Sequence, residues 1–290
     1  MNKSIVILGS TGMLGQALSK RSSELGYTTV GIARNKSDIN LDLTNTEELF
    51  TQLNKIKPSI IINSAAYINL NSINDEFNLA YLLNTKLVSL LTNYCMKMDI
   101  KLCQISTDHF FTGDADALHT EKSEVKIVNE YARTKYAGEC FALTHSLNMV
   151  IRTNIVGFRG WENGLTFVEW VINNLKKNEK MTLFKDFYTS SLDVDSFSKA
   201  LFDLIEVNYS GLINLASSEV SNKLTFVRCL AQKLGFDLQN FTIGSVNSIQ
   251  GEVRAESLGL DVSLAESTLG YKLPKLNEVL ENLKNQYEGT

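Results

Sequence analysis

Short apolar segments alternate with longer amphipathic segments through the first half of the chain, and no other feature of the sequence restricts the fold as strongly. The apolar segments have the length of buried strands, whereas the longer segments repeat apolar residues at helical spacing. Strands are predicted at 5–8, 29–33, 60–63, 102–106 and 149–152, and helices at 13–25, 46–53, 76–94 and 128–145. This alternation predicts an α/β fold with a doubly wound parallel sheet that is covered on both faces.

The composition makes several classes of function improbable. Lys and Arg number 28 against 32 Asp and Glu, and no basic block is present, so we do not expect a nucleic-acid partner. No apolar run is long enough to span a bilayer, so no membrane partner is expected either. The four cysteines form no Cys-x-x-Cys pair and the three histidines are scattered, which favours reduced thiols in a cytoplasmic protein and no metal site.

A glycine-rich segment, 9–15, follows the first predicted strand and opens the first predicted helix. Glycines at such a turn allow a pyrophosphate to approach the backbone, and the amino terminus of the helix attracts its charge. This position at the start of the chain therefore predicts a dinucleotide-binding site. The residues expected to contact the dinucleotide there are Gly9, Thr11, Gly12, Met13, Leu14 and Gly15.

The end of the second predicted strand bears on the type of nicotinamide cofactor. A carboxylate at this point would bind the ribose hydroxyls of NAD, whereas Arg34 suits the 2'-phosphate of NADP. We therefore expect NADPH to be accepted, with NADH also possible. A solvated loop arginine is the alternative interpretation of Arg34.

The alternation loosens beyond residue 153, which indicates a smaller carboxyl-terminal lobe. We assign residues 1–153, with a return segment near 192–215, to a dinucleotide-binding domain, and 154–191 and 216–290 to a substrate-binding lobe. The segments 192–205 and 212–215 are interpreted as a return to the sheet. Further helices are predicted at 165–175, 223–234 and 276–287, and Trp161, Phe167 and Trp170 are interpreted as core side chains, with contact to a substrate as the alternative.

Tyr131 and Lys135 are four residues apart in a predicted helix, so their side chains share one face about 6 Å apart along the axis. A positive charge about 5 Å from a tyrosine favours the phenolate by about 3 kcal/mol, which is about two pKa units. Lys135 could thus tune Tyr131 for proton transfer near neutral pH. Together with the hydroxyl of Thr107, the pair supplies the groups that a nicotinamide-dependent carbonyl reduction requires.

Four ordered motifs resemble the extended short-chain dehydrogenase/reductase superfamily and, within it, the dTDP-4-dehydrorhamnose reductase family. The family's Ser-Thr-Asp-Tyr-Val-Phe-x-Gly segment corresponds to residues 106–113, and its Asn-x-Tyr-Gly-x-Ser/Thr-Lys segment to 129–135. Its Asn-x-Ala-Ala-Tyr block corresponds to 63–67, and its Arg-Thr strand end to 152–153. The likeness covers most of the chain and implies a Rossmann-like fold with a smaller substrate lobe.

The resemblance also implies roles for individual residues. Thr107 would hold the substrate carbonyl, Tyr131 would protonate its oxygen, and Lys135 would also bind the nicotinamide ribose. The implied cofactor contacts are Gly12, Met13 and Leu14 at the pyrophosphate, Asp42 and Leu43 at the adenine, and Ala65, Ala66 and Tyr67 beside the dinucleotide.

On the substrate side, Asp108, His109 and Arg254 are the candidate binding residues, and Arg254 is equally compatible with a plain surface position. Several positions depart from the family's pattern: His109 replaces a tyrosine, Ile155 replaces a tryptophan, and Ser190-Ser191-Leu192 stands near a Ser-Pro-Thr segment. The identity of the sugar and of the nucleotide therefore stays open.

The function that follows is NAD(P)H-dependent reduction of the 4-keto group of a nucleotide-activated 6-deoxy sugar, by a monomer or a homodimer. A nucleotide-sugar epimerase is one alternative. A second is a non-catalytic, dinucleotide-binding regulatory subunit resembling that of methionine adenosyltransferase, and a third is a nicotinamide-binding redox sensor.

Overall fold

Strands and helices alternate along the computed structural model, which describes residues 4–162, 164–249, 251 and 253–289. The strands are β1 (Ser4–Leu8), β2 (Thr28–Ala33), β3 (Ile39–Asn40), β4 (Ile60–Asn63), β5 (Lys101–Ile105), β6 (Leu118–His119), β7 (Met149–Arg152), β8 (Ile155–Val156), β9 (Met181–Phe184), β10 (Tyr188–Thr189), β11 (Leu192–Asp193), β12 (Gly211–Asn214), β13 (Ser221–Asn222), β14 (Phe241–Gly244) and β15 (Ser257–Leu260). The α-helices are α1 (Met13–Glu24), α2 (Thr46–Ile56), α3 (Phe77–Tyr81), α4 (Leu87–Met98), α5 (Glu130–Ala142), α6 (Phe167–Lys177), α7 (Val194–Glu206), α8 (Lys223–Lys233), α9 (Ser263–Leu269) and α10 (Leu276–Glu288).

One seven-stranded sheet dominates the first part of the chain, with the strand order β12-β7-β5-β4-β1-β2-β3. The pairs from β7 across to β3 are parallel. The order reverses at β1, so the loops after β1 and β4 leave the same edge of the sheet at the point where doubly wound folds bind ligands. The predicted α/β fold class is confirmed.

The central strand explains why the sheet forms where the sequence predicts it. Residues Ile5, Val6, Ile7 and Leu8 of β1 are fully buried, and β1 pairs with β2 on one side and β4 on the other. A strand buried on both faces must be apolar at successive positions rather than at alternating ones. The uninterrupted apolar run at 5–8 is therefore a direct signal of its central position.

The chain forms two compact units of packing. The first contains residues 1–107, 129–152 and 201–213, and the second contains 108–128, 153–200 and 214–290. The second unit holds a four-stranded sheet with the order β13-β10-β15-β6, and the two-stranded pairs β11-β8 and β14-β9. The functional division into a dinucleotide-binding domain and a substrate-binding lobe stays a prediction.

Some local expectations are wrong. Residues 192–205 were expected to return to the sheet, but only Leu192–Asp193 is a strand and α7 follows at once. The side chain of Asn45 caps α2, and the Thr44 hydroxyl donates to Asp42. The side chains of Trp161 and Trp170 are exposed, which contradicts their assignment to the core.

None of the helices in the described part of the chain combines the length and the apolarity needed to cross a bilayer. Over the same residues, no group of three His, Cys, Asp or Glu side chains is arranged to hold a metal ion.

Candidate active site

The turn between β1 and α1 is built so that only glycine fits at two of its positions. Gly9 has a φ of 78°, and its carbonyl oxygen accepts from the amide of Gly12 at 3.0 Å. A Cβ on Gly15 would lie 2.1 Å from that same oxygen, so the helix approaches the turn too closely for any side chain. This is the close packing of helix on strand that the glycine-rich segment predicts.

The amino terminus of α1 is open to an anion. Gly12 is its N-cap and supplies no side-chain hydrogen bond, and no acidic residue lies in the first turn. The first amides of a helix have no intrahelical partner and attract negative charge. Leu14 is buried, so it can offer only its backbone there, whereas Thr11, Gly12 and Met13 are partly exposed.

Gly15→Ala should lower the free energy of unfolding by about 1–3 kcal/mol, since the added methyl meets backbone atoms that cannot rotate away. The same displacement should weaken dinucleotide binding at the turn. Urea denaturation and cofactor titration measure the two effects. Lys20→Ala, at an exposed position of the same helix, is the control and should change neither quantity appreciably. A Gly15→Ala protein as stable as the parent would contradict the packing described here.

The loop after β2 packs onto the glycine-rich turn through side chains that were not predicted as site residues. The hydroxyl groups of Ser10 and Ser37 are 2.6 Å apart, and the Asp38 carboxylate accepts from the Gly31 amide at 2.7 Å. Arg34 is exposed at the start of this loop. The segment that would discriminate between the two nicotinamide cofactors therefore carries both a cation and a carboxylate.

Asp42 and Leu43 lie between β3 and α2. The Asp42 carboxylate accepts from the amide and the hydroxyl of Thr44 at 2.9 and 2.8 Å. The amide hydrogen bond, followed by the hydroxyl hydrogen bond and the charge of Arg34, lowers the pKa of Asp42. Leu43 is buried. The charge of Arg34, which follows β2, thus acts on Asp42, one of the residues expected at the adenine.

The predicted segment Ala65–Tyr67 follows β4 and lies against the glycine-rich turn. A Cβ on Gly9 would lie 3.0–3.2 Å from atoms of Ala65. The amide of Tyr67 donates to the Asn84 side chain at 2.9 Å, and the Asn84 amide group donates to the Tyr67 carbonyl and to the Thr134 hydroxyl. Asn84, which was not predicted, therefore connects Ala65–Tyr67 to the helix that carries Lys135.

Asn84 lies in a π-helical turn, Leu82–Lys86, between α3 and α4. Turns of this kind often occur at functional sites. A Cβ on Gly138 would lie 2.2 Å from the Asn84 carbonyl oxygen, so glycine at this position of α5 allows the two helices to touch. The helix predicted at 76–94 forms, and its α-helical hydrogen bonding changes to a π-helical turn at the point where it contacts the site.

Tyr131 and Lys135 lie one turn apart near the start of α5, as predicted. Asn129 begins the helix, since its side chain accepts from the Ala132 amide at 2.8 Å. The Lys135 ammonium is buried and donates to the Ile105 carbonyl at 2.7 Å, at the end of β5. Thr107 follows two residues later and is also buried. The first unit thus brings Lys135 to the strand end that leads into Thr107.

The electrostatics of Lys135 are set mainly by burial. Desolvation lowers the pKa of Lys135 from 10.5 to about 8, and the charge of Glu139 opposes that shift. The lysine therefore loses its proton far more readily than a lysine in water, and its charge responds to pH in the range where enzymes work.

A buried ion pair lies directly behind this lysine. The Glu139 carboxylate accepts from Arg152 Nε and Nη2 at 3.1 and 2.8 Å, and from the Ser106 hydroxyl at 2.5 Å. All three side chains are at least nine-tenths buried. Glu139 was not predicted as a site residue. Its spacing could have indicated a role, because Tyr131, Lys135 and Glu139 follow one another at four-residue spacing on one helix face.

The predicted substrate residues Asp108, His109 and Arg254 lie in the second unit. The Asp108 carboxylate accepts from the Asn154 side chain at 2.8 Å, and His109 Nε2 lies 3.9 Å from Asp108. Burial, followed by the charges of Lys223 and Arg254, lowers the pKa of His109 to about 4. The three predicted residues therefore belong to one electrostatic cluster, which includes Lys223, a residue that was not predicted.

The positions that depart from the family's pattern are also neighbours. Ile155 in β8 pairs in register with Leu192 in β11. The Ser191 hydroxyl donates to the Asn154 side chain at 2.7 Å. Asn154 thus links a departing position to Asp108, so these positions lie close together in the second unit.

The chain matches the model of the RmlD substrate binding domain family over residues 2–288. It is 24% identical to the probable low-salt glycan biosynthesis reductase Agl14 of Haloferax volcanii over 96% of each chain. It is 27% identical to the dTDP-4-dehydrorhamnose reductase of Shigella flexneri over 63% of this chain, and that match spans 60% of the Shigella protein. The crystal structure of dTDP-4-dehydrorhamnose reductase from Bacillus anthracis in complex with NADP has the same fold, with a TM-score of 0.88, 23% identity and 100% coverage of both chains. These matches confirm the resemblance seen in the motifs: the chain belongs to the RmlD substrate binding domain family.

Proposed function

We propose that this protein reduces the 4-keto group of a nucleotide-activated 6-deoxy sugar with NADPH. The observation that carries the proposal is the Lys135 ammonium, which is held by the Ile105 carbonyl one helical turn from Tyr131 and beside the strand end that leads to Thr107. Family membership and the reductases among the relatives support the same reaction class.

The chain's own residues fit a dinucleotide. The uncapped amino terminus of α1 and the tight turn at Gly9, against which Gly15 packs without a side chain, support a cradle for a pyrophosphate. The exposed Arg34 follows β2 and would meet a 2'-phosphate, so NADPH is the proposed cofactor, and NADH stays possible because Asp38 lies in the same loop. When bound, the reduced dinucleotide supplies the hydride that the carbonyl carbon receives.

In the proposed mechanism, three side chains act on the carbonyl oxygen. Thr107 donates a hydrogen bond that orients the oxygen, and Tyr131 transfers its hydroxyl proton as negative charge builds there. The Lys135 ammonium stabilises the tyrosine oxygen after the proton has left. Because Lys135 is fixed by Ile105 before any ligand arrives, no reorganisation is needed at the moment of reaction.

The pH profile should report the charge of Lys135. Since the cationic form is required and its pKa is about 8, kcat/KM should be level below about pH 7 and should fall as the pH rises through about 8. Lys135→Arg stays charged throughout this range. Its kcat/KM should therefore begin to fall at a higher pH than that of the parent, even with lower overall activity. If kcat/KM falls at the same pH in the arginine variant as in the parent, the assignment of this pH dependence to Lys135 is contradicted.

The proposed function is tested by mixing the protein with NADPH and 4-keto-6-deoxy sugars carried on dTDP, GDP, UDP or CMP, and by following the absorbance of NADPH. Oxidation of NADPH with at least one of them is expected. Binding of NADPH without consumption across the whole panel would favour a regulatory subunit. Conversion of a sugar nucleotide without net consumption would favour an epimerase.

We further propose that the protein acts in the cytoplasm as a monomer or homodimer, without a nucleic-acid partner. The negative net charge and the absence of disulfides among Cys95, Cys103, Cys140 and Cys229 support this setting.

A further inference from the structure

Two buried amide side chains lie at the carboxyl ends of neighbouring strands in the first unit. Asn63 is the last residue of β4, Gln104 precedes the last residue of β5, and the two are paired in register. Asn63 is fully buried and Gln104 is 3% exposed, although the residues before them, Ile62 and Cys103, are apolar. A buried amide costs free energy unless its polar atoms find partners, so the contacts of these two side chains must offset that cost.

These contacts form a continuous chain of hydrogen bonds between two backbone groups. Asn63 Oδ1 accepts from the Ala65 amide at 3.2 Å, and Asn63 Nδ2 donates to Gln104 Oε1 at 2.8 Å. Gln104 Nε2 then donates to the Ile105 carbonyl at 2.8 Å. The chain thus begins at Ala65, beside the glycine-rich turn, and ends at the carbonyl that accepts from the Lys135 ammonium.

The direction of each hydrogen bond in this chain is determined by its two ends. A backbone amide only donates and a backbone carbonyl only accepts, so Asn63 must turn its oxygen to Ala65, and Gln104 must turn its nitrogen to Ile105. The nitrogen of Asn63 then meets the oxygen of Gln104, as the structure shows. Reversing either amide would bring two donors or two acceptors face to face. The arrangement therefore has a single solution.

The Ile105 carbonyl is the point at which this chain meets Lys135. Ile105 lies one residue beyond the last pair of the β4–β5 ladder. Its oxygen has two lone pairs and accepts from Gln104 Nε2 at 2.8 Å and from Lys135 Nζ at 2.7 Å. In the described part of the chain, the buried Lys135 ammonium donates to no other acceptor. The position of the ammonium therefore depends on an oxygen that Gln104 also holds.

We propose that Gln104 is a positioning residue for the reduction: it holds the Ile105 carbonyl in the place from which that oxygen fixes the Lys135 ammonium, and Asn63 in turn holds Gln104. The inference rests on the proposed function for the part that Lys135 takes in turnover. Gln104 and Asn63 act through Lys135 and not on the reacting atoms. They attach the lysine to two strands of the sheet, so that it is preorganised by more than its own helix.

Asn148 provides the matched control, because it joins the same strand and the same helix near their opposite ends. Its Oδ1 accepts from the Leu102 amide at 3.0 Å, and its Nδ2 donates to the Ala142 carbonyl at 2.9 Å. Asn148 is as deeply buried as Gln104. Gln104→Met and Asn148→Leu each remove one buried amide between β5 and α5, so both should be less stable than the parent, but only Gln104→Met should affect Lys135.

Nuclear magnetic resonance of protein that contains isotopically labelled lysine tests the contact without substrate or cofactor. The Cε shift of Lys135 is followed against pH, and Lys135→Arg identifies its resonance. A hydrogen bond to the charged form of a group raises its pKa. Gln104→Met removes the donor that holds the carbonyl, so it should lower the pKa of Lys135 from about 8 by about half a unit to one unit. Asn148→Leu should leave that pKa unchanged.

Turnover provides the second readout. Gln104→Met should lower kcat by about five- to tenfold, as expected for the loss of one hydrogen bond, with little change in KM for the sugar nucleotide. Its kcat/KM should also begin to fall at a lower pH than that of the parent, because Lys135 loses its proton earlier. Asn148→Leu should keep both the parental kcat and the parental pH dependence.

A second variant covers the case in which Gln104→Met does not fold. Asn63→Leu leaves Gln104 in place but removes the group that holds it, so it should lower the pKa of Lys135 in the same direction and by less. If the pKa of Lys135 is unchanged or raised in the variant that folds, or if Asn148→Leu lowers it equally, the proposal is overturned. A lowered pKa in a protein that never oxidises NADPH would retain the contact and reject the proposed function instead.

Discussion

Replacing Tyr131 by phenylalanine should lower kcat by about 10²- to 10⁴-fold, which is the usual contribution of a positioned general acid. The substitution removes one hydroxyl from a half-buried side chain and leaves the ring in place on α5. Lys135 keeps its hydrogen bond to Ile105, so the shape of the cradle should be preserved. Steady-state turnover, measured beside a cofactor titration, should therefore show a loss in kcat with little change in NADPH affinity.

Tyr136→Phe provides the matched control. Tyr136 lies on the same helix and its side chain is exposed, so loss of its hydroxyl should leave turnover near the parental value. If Tyr131→Phe turns over as fast as this control while it still binds NADPH, proton donation by Tyr131 is excluded. A protein that neither binds NADPH nor reduces any substrate would point instead to the loss of the cradle.

The fold could be predicted because its determinants are local. The apolar run at 5–8, the glycine-rich segment and the four-residue spacing of Tyr131 and Lys135 each depend on a few consecutive residues. The central strand, the close turn and the shared helix face all appear where these patterns place them. Each feature has a physical requirement that few other structures meet. The central strand must be buried on both faces, the close turn leaves no room for a Cβ, and the shared helix face needs a spacing of one helical turn.

The parts that could not be predicted depend on partners that are distant in the chain. Residues 194–206 are not among them, because Val194, Phe197, Leu201 and Leu204 recur at helical spacing and predict the helix α7 that forms. The contact of Asn84 with Tyr67 and Thr134 joins three separate segments. The cluster around Lys223 likewise combines residues from both ends of the second unit. Periodicity reports which face of an element is apolar, but not which neighbour will meet it.

The largest effect on stability is expected at Glu139. Its carboxylate is the buried counter-charge of Arg152 and also accepts from the Ser106 hydroxyl. Glu139→Gln leaves the guanidinium buried without that charge and should lower the free energy of unfolding by about 3–5 kcal/mol. Urea denaturation measures the change. Glu130→Gln, which affects a more exposed ion pair with Arg133 on the same helix, should change stability by less than about 1 kcal/mol.

A double variant separates the structural contribution of the ion pair from its catalytic one. Glu139→Leu combined with Arg152→Met removes both charges and should recover most of the lost stability, because apolar residues of similar size often replace buried pairs without loss. Catalysis should not recover, since Ser106, the neighbour of Thr107, loses its acceptor. The charge of Glu139 raises the pKa of Lys135, so its removal should also shift the alkaline limb of kcat/KM to lower pH. A stable double variant with parental turnover and an unshifted limb would show that the pair serves only to hold β7 against α5.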